Sequence, residues 1–587
     1  MAAPTNALYQ PALLRCLHRG YTRKDLTADV LAGILVGVVA LPLSMGLAIA
    51  SGATPEQGLY VAIIGGIVVS LFGGSRVQIG GPAGAFVGIC AAAAADPHIG
   101  LFGLSIATFL AGGMILAMGL MRLGKAITFI PTPVVIGFTT GIAVTIASTQ
   151  LAPMLGISAA SHEHFTERIA YIRQHAAAIH WQPIIVCLIT VIIILGMRWW
   201  KPLLPGAIIA VIAVTIASFS LGWTAPGGPL ISIGTIPDTP PLPHLPGMYQ
   251  GDGWSLSAFW DKLTNSGLDW EHIGILAATI AVLGAIESLL SAVVADGMSG
   301  DRHDSNSELI GQGIANLVVP FFGVLPTTGV LARTSTNIRA GARSPVAGIV
   351  HSLAVLAILV ACAPLVRHIP LACLAGVLLV VCWHMAELRH WPHILRTKRS
   401  DAFLLPLATV LTIFTSLSIA VFSCVILAMF FFVKRMADTI QVERRAADSG
   451  ADEENSAKLP PGVEVYEVRG PFFFGAATLI RDIDGMVGSK PRALILRLRN
   501  VPFIDVTAAF SLRELHESCA KRGAELLLSD CHTRPLMDLD RHGILALLGE
   551  ERVFGSYEDA LAHATQVSNQ MAELSRIRTA TRNTTVT

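Results

Sequence analysis

Charge is scarce in this sequence. Only 14% of its 587 residues are Asp, Glu, Lys or Arg, where an ordinary soluble domain carries about 25%. Hydrophobic residues supply 53%, and mean hydropathy is +0.62. Composition alone therefore assigns most of the chain to a bilayer. The few charges nearly cancel, at +1 net, and form no basic stripe, which excludes a nucleic-acid partner. Cysteines number nine with no CxxC pair, and Cys90, Cys187, Cys362, Cys373, Cys382 and Cys424 sit inside apolar runs. They read as small buried hydrophobes, so neither disulfides nor a metal centre is expected. A Walker A lysine motif, GxSxG and HExxH are all missing, so nothing points to ATP drive or to an enzyme. Any driven process must use an ion gradient or exchange, with no cofactor. The opening MAAPTNALYQPALLRCLHRGYTRKD has no apolar core or cleavage site, and no cleaved signal peptide is expected.

Long apolar runs are abundant instead. A bilayer core needs about 20 apolar residues per helix. Such runs lie near 30–50, 58–74, 99–121, 127–152, 183–198, 203–223, 272–296, 311–325, 345–366, 369–386, 401–417 and 418–436. Two further segments, near 82–95 and 327–342, are too short to span as helices. The predicted fold is an α-helical membrane protein of fourteen transmembrane segments. Basic residues orient it. Loops after even-numbered segments carry Arg76, Arg122, Lys125, Arg198, Lys201, Arg302, Arg339, Arg343, Arg389, Arg396, Lys398 and Arg399, while the opposite loops carry only Arg168, Arg173, Lys262 and Arg367. By the positive-inside rule both termini are cytoplasmic.

The stretch from Ala281 to Pro345 carries the functional signal. Glu287 lies within the apolar run AVLGAIESLLSAVVADG, and Arg333 within the broken segment GVLPTTGVLARTSTNIRAGARSP. A charge at a membrane helix centre costs about 2.5–3.5 kcal/mol on insertion scales, so such residues usually face a cavity on an ion or substrate path. Pro326 and Gly329 break the helix there. GGSRVQIGGPAGAF breaks the third segment in the same way, and the broken segments stand third and tenth of fourteen. Paired interruptions in matching positions mark the midplane site of an inverted-repeat transporter. The topology sends the third segment outward and the tenth inward, so their N-termini face each other. Each start offers unpaired N–H groups and about half a positive charge, which predicts anion binding by backbone.

GAIESLLSAVVADGMSGDRHDSNSELIGQG and ARTSTNIRAGARSP closely resemble the sulfate permease (SulP) family of anion transporters. The resemblance covers nearly the whole chain, including a C-terminal STAS domain. It implies a seven-plus-seven inverted repeat with two half-helices and substrate held between the starts of segments three and ten. Carried over by position, Gly84, Ala85 and Phe86 from the third segment and Leu331, Ala332 and Arg333 from the tenth line the site. Arg333 either adds positive field there, or caps the helix or pairs with Glu287. Glu287 and Ser291, four apart on one helix face, match an Asp and a Thr that help bind sodium in bicarbonate-transporting relatives. The longer acid and the serine put a sodium site in doubt. A coupling proton on Glu287 is expected, with sodium as the alternative. Asp296, Asp301, Asp304 and Glu308 in the following hairpin are read as solvated or fold-defining.

After Met436 the character changes. QVERRAADSGADEENSAKLPP reads as a linker. From about 462 to 566 strands (VEVYEVRG, RALILRLRN, AELLLSD) alternate with a helix (TAAFSLRELHESCAKRG), a soluble α/β pattern. PFIDVTAAFSLREL resembles the STAS domain, and Thr507 occupies the place of that superfamily's phosphoacceptor serine, or else caps the helix. The expected layout is a cytoplasmic segment 1–29, a transporter domain 30–436, a linker 437–461, a STAS domain 462–566 and a disordered tail 567–587. The expected function is secondary active uptake of sulfate or a related small anion, proton-coupled, across the inner membrane. A C4-dicarboxylate carrier, a sodium-dependent bicarbonate transporter and a STAS-signalling transceptor are the alternatives. The expected partners are the small anion, the lipid bilayer, a second copy in a homodimer and a cytoplasmic STAS-binding protein.

Overall fold

A computed structural model describes residues 9–125, 131–157, 165–200, 206–225, 228–234, 239–249, 254–415, 417–437, 441–444, 459–473, 483 and 492–584. They fall into two compact units, Met1–Ala428 and Met429–Thr587.

The first unit opens with a short helix, α1 (Ala12–His18), and then follows the apolar runs segment by segment. Segments one to four are α2 (Arg23–Ala50), α3 (Pro55–Phe72), α4 (Val87–Ala95, led by a 3-10 turn at Gly84–Phe86) and α5 (Gly100–Leu120). Segment five is α6 (Thr132–Thr149), followed by the short helices α7 (Leu151–Leu155) and α8 (Phe165–Gln174). Segments six and seven are α9 (Trp181–Trp200) and α10 (Gly206–Ser220). A small amphipathic helix, α11 (Leu256–Asn265), precedes segment eight, α12 (Trp270–Ser299). Segments nine to eleven are α13 (Ser305–Val318), α14 (Leu331–Arg339) and α15 (Val346–Val366). Segment twelve is α16 (Leu371–Met385); α17 (Trp391–Leu395) then leads to segments thirteen and fourteen, α18 (Arg399–Phe414) and α19 (Leu417–Ala437). Among the described residues, α2, α3, α5, α9, α12 and the run Thr132–Leu155 are long and apolar enough to cross a membrane.

Two groups of helices form. The helices α2 to α5 and α12 to α15 pack mainly on one another, while α6 packs on α18 and α16, and α9 on α10 and α16. The loops sort by parity. Arg76 pairs with Asp301 at 3.3 Å and donates to Arg343 O, and Gly124 N donates to Asn306 Oδ1 at 3.1 Å, so loops after segments two, four, eight and ten share one end. At the other end Asp269 N donates to His98 O and Ile233 N to Ile369 O, joining loops after segments three, seven and eleven. The basic loops after segments two, four, eight and ten thus lie together.

The two breaks meet in the interior. Gly80–Gly81 (β1) pairs antiparallel with Thr328–Gly329 (β2), with Gly80 opposite Gly329 and Gly81 opposite Thr328. Both strands are fully buried. Extended backbone at this depth must find its partners inside the protein, and here each break serves the other.

In the second unit, β3 (Gln441–Arg444), β4 (Val463–Arg469), β5 (Ala493–Asn500), β6 (Glu525–Ser529) and β7 (Val553–Phe554) form one sheet in that order. The β3–β4 pair is antiparallel and the others are parallel. One face packs on α20 (Val506–Lys521), α21 (Thr533–Arg541) and α22 (Ile544–Leu548) through Leu494, Leu496, Leu512 and Leu515. The other face packs on α23 (Tyr557–Thr584) through Val465, Ile495, Ala560 and Ala564. Burial on both sides explains the near-continuous apolar run of β5. Two expectations need correction. The segment expected to be a linker contains β3. The tail expected to be disordered is helical to Thr584, because no Gly or Pro interrupts it and its first turns are anchored on the sheet.

Candidate functional site

The β1–β2 crossing delivers the two short helices to the interior. Side-chain caps close only some of the helix starts; α5 and α6, for example, have none. Side chains cap α2 (Thr22 accepts from Asp25 N), α12 (Asp269 accepts from His272 N) and α13 (Asp304 accepts from Ser307 N). Among the described residues no side chain caps the start at Gly84 or the start of α14. Orphan N–H groups and the positive ends of two helix dipoles are left for a ligand.

The residues carried over by position gather here with different exposures. Gly84 and Leu331 are half-buried, Ala332 is exposed, and Ala85, Phe86 and Arg333 are buried. Phe86 lies on α12 at Gly284, where a Cβ would come within 3.3 Å of the ring and the ring would have to shift. Thr328 Oγ1 donates to Gly284 O at 3.1 Å, so α12 contacts both breaks one turn before Glu287.

Arg333 is 1% exposed. Its Nη2 donates to Ser44 Oγ at 2.9 Å, across from the first segment, and Nη1 lies against Gly81, where a methyl group would collide with it. Its Nε and Nη1 have no partner among the described residues, and neither does Glu287 Oε2. The pairing of Arg333 with Glu287, one of the roles open from the sequence, is therefore not formed: the guanidinium turns toward α2 and a hydroxyl. A buried cation without a carboxylate is strongly unfavourable unless something supplies negative charge. Ser291 is fully buried and donates weakly to Thr334 Oγ1 at 3.5 Å, so it faces the first turn of α14.

A cavity of about 340 Å³ approaches the site from the end opposite the basic loops. Gly88, Ala92 and Asp96 of the third segment line it, with Thr145 of α6, Leu276 of α12 and Thr412 of α18. It lies where the two helix groups meet, and Gly88 is one turn from the helix start at Gly84.

The hairpin acids are fold-defining. Asp304 caps α13, Asp296 accepts from His303 N and Nδ1, Asp301 holds Arg76, and Glu308 is fully buried among donors. Gln78, Asn316 and His351, all buried, escaped the sequence reading, although a Gln, an Asn or a His inside an apolar run is itself a signal. In the second unit Asp505, and not Thr507, caps α20, accepting from Ala508 N at 2.8 Å. Thr507 is exposed on the first turn. Among the described residues no His, Cys, Asp and Glu cluster could hold a metal.

Residues 26–408 match the profile of the sulfate permease family, and 456–560 that of the STAS domain. The chain belongs to the sulfate permease family. Among its family relatives, the "Putative sulfate transporter YvdB" of Bacillus subtilis is 37% identical, covering 92% of this chain and 98% of its own. The bicarbonate transporter BicA of Synechocystis is 29% identical, over 92% of this chain and 94% of its own. A solved structure of a BicA transmembrane domain matches at a TM-score of 0.58 and 29% identity, over 70% of this chain and 98% of that one. The murine solute carrier 26 family member A9 anion transporter shares the fold at a TM-score of 0.83 with 18% identity, over 95% of this chain and 94% of its own.

Proposed function

We propose that the chain is a secondary active anion transporter that takes up sulfate or a related small anion together with a proton. One observation carries this reading: a fully buried, carboxylate-free Arg333 beside two uncapped helix starts that cross at β1–β2. An anion would supply the missing negative charge, and backbone N–H groups would hold it without a dedicated side-chain cage. Glu287, one turn from the crossing and unpartnered at Oε2, would carry the coupling proton. Gly84, Ala85, Phe86, Leu331 and Ala332 would form the wall that sets anion size. The helix group holding the crossing would move against the other, with the cavity near Gly88 as one access route. The relatives named for sulfate and bicarbonate support an inorganic anion. The chain would work as a homodimer in the inner membrane with both termini cytoplasmic. Thr507, exposed at the start of α20, would be the site for regulation or for a cytoplasmic partner.

The test is uptake of labelled sulfate, fumarate and bicarbonate into proteoliposomes under imposed proton or sodium gradients. Uptake of one anion driven by an inward proton gradient is the expected result. A sodium requirement would return Glu287 and Ser291 to a sodium site. No uptake by folded protein would overturn transport in favour of a signalling role for the STAS domain.

A further inference from the structure

Between them, α12 and α13 hold both breaks. Along α13, Glu308, Gln312 and Asn316 fall four residues apart on one face, and all are 0–1% exposed. Glu308 Oε2 accepts from Gly74 N at 2.9 Å and Ser75 N at 3.0 Å, the backbone that leads into β1. Its Oε1 accepts from Ser288 Oγ at 3.1 Å and from Gln312 Nε2 at 2.9 Å. Asn316 grips the other break: its Oδ1 accepts from Thr327 N at 2.9 Å, and its Nδ2 donates to Thr327 O at 2.8 Å. Thr327 is the residue before β2. Ser288, next to Glu287 on α12, accepts from Gln78 Nε2 through both its O (3.1 Å) and its Oγ (3.2 Å), just ahead of β1.

We propose that Glu308, Gln312 and Asn316 are positioning residues for the anion site, setting the gap between the two opposed helix starts. The inference rests on the anion-transport reading above. The two breaks pair through two residues each, and Val330 N to Ile79 O (2.9 Å), Ile79 N to Thr334 Oγ1 (3.1 Å) and Asn337 Nδ2 to Val77 O (2.9 Å) tie the second break and α14 to the first. These bonds join the breaks to each other, while α13 binds the backbone ahead of both and anchors the pair to the surrounding helices. Glu308 has no cation partner among the described residues; two backbone N–H groups, a hydroxyl and an amide satisfy it. It stands in the first turn of α13, where the helix dipole favours a carboxylate. Simple backbone satisfaction is the competing role, and it makes a different prediction. Loss of a purely structural network lowers the amount of folded protein and affects all anions alike. A change in the gap alters the preference between anions of different size.

The experiment compares the full chain and its variants in proteoliposomes, measuring KM for sulfate, bicarbonate, nitrate and chloride. Asn316→Ala should raise KM by about tenfold or more, since a 1 Å misplacement can cost two orders of magnitude. It should also change the ratio of KM values between the anions the wild type takes up, while Asn316→Asp, which keeps the acceptor for Thr327 N, should lie between. Asn316→Ala combined with Glu308→Gln should be less than additive, because both act on one gap. Folded Asn316→Ala with unchanged KM values, or with all of them raised by one factor, would overturn the proposal. Should Asn316→Ala fail to fold, Gln312→Leu is read in the same way. It keeps both backbone grips and loosens only the link to Glu308, so a smaller change in the same ratio is expected and an unchanged ratio overturns the proposal. A wild type that moves none of the four anions, nor fumarate, would bring down the transport reading, and this inference with it.

Discussion

At the residue scale the site depends on charge that cannot leave. Arg333 keeps its proton under all ordinary conditions and meets a hydroxyl instead of a carboxylate. Arg333→Gln should therefore weaken anion binding by about 1.5–3 kcal/mol, roughly tenfold to a hundredfold or more in KM. Arg333→Lys should recover part of this, since it restores charge without the planar fork. KM for labelled anion in proteoliposomes is the readout, and a wild-type value in folded Arg333→Gln would remove the residue from the site. Glu287→Gln should abolish the pH-dependence of uptake while the protein stays folded, and an unchanged profile would remove Glu287 from the proton path. Both residues are legible in the sequence because a charge in an apolar run needs a reason. Their partners are not. Ser44 lies 289 positions from Arg333, and only packing decides whether the guanidinium turns to it or to Glu287. Asp505 illustrates the opposite case. Its capping of α20 follows from a carboxylate three residues ahead of an orphan N–H, a pattern that is wholly local in the sequence.

At the scale of elements, glycine decides what can approach. In α13, Gly311 puts its backbone on Gly73: a Cβ there would lie 2.6 Å from Gly73 N and Cα. Since neither atom is the end of a flexible side chain, Gly311→Ala must push α13 from the entrance to β1. The expected cost is about 1–3 kcal/mol from overpacking, seen as a lower melting temperature in detergent; a wild-type melting temperature would show that α13 can shift freely. The breaks themselves were readable, because Gly and Pro in matched positions interrupt otherwise continuous apolar runs. The β1–β2 pairing was not, since two short strands have no period of their own and owe their register to each other. The helical course of α23 was hidden for a related reason. Its polar sequence looks unstructured until Ala560 and Ala564 find the sheet, and tertiary packing supplies most of a helix's stability.

At the scale of the molecule, the chain is two units with separate cores. The site, the cavity and the clamping helix all belong to the first. Removing residues 440–587 should therefore leave anion binding by the remaining protein within about threefold of wild type, since every residue assigned to the site lies in the first unit. Complete loss of binding by folded truncated protein would make the second unit part of the transport machinery. The broad architecture was legible from run lengths, because a bilayer sets how long an apolar helix must be.

The lone guanidinium has an electrical consequence. Once Glu287 has given up the coupling proton, its carboxylate balances Arg333 and the vacant site is neutral; with the proton and a monovalent anion aboard it is neutral again, and with the proton and sulfate it holds one negative charge. A membrane potential acts on one elementary charge with about 2.3 kcal/mol per 100 mV. If the site crosses that field, voltage would act on the sulfate-loaded stroke alone and on neither stroke with a monovalent anion, so the current itself would tell the two cargoes apart.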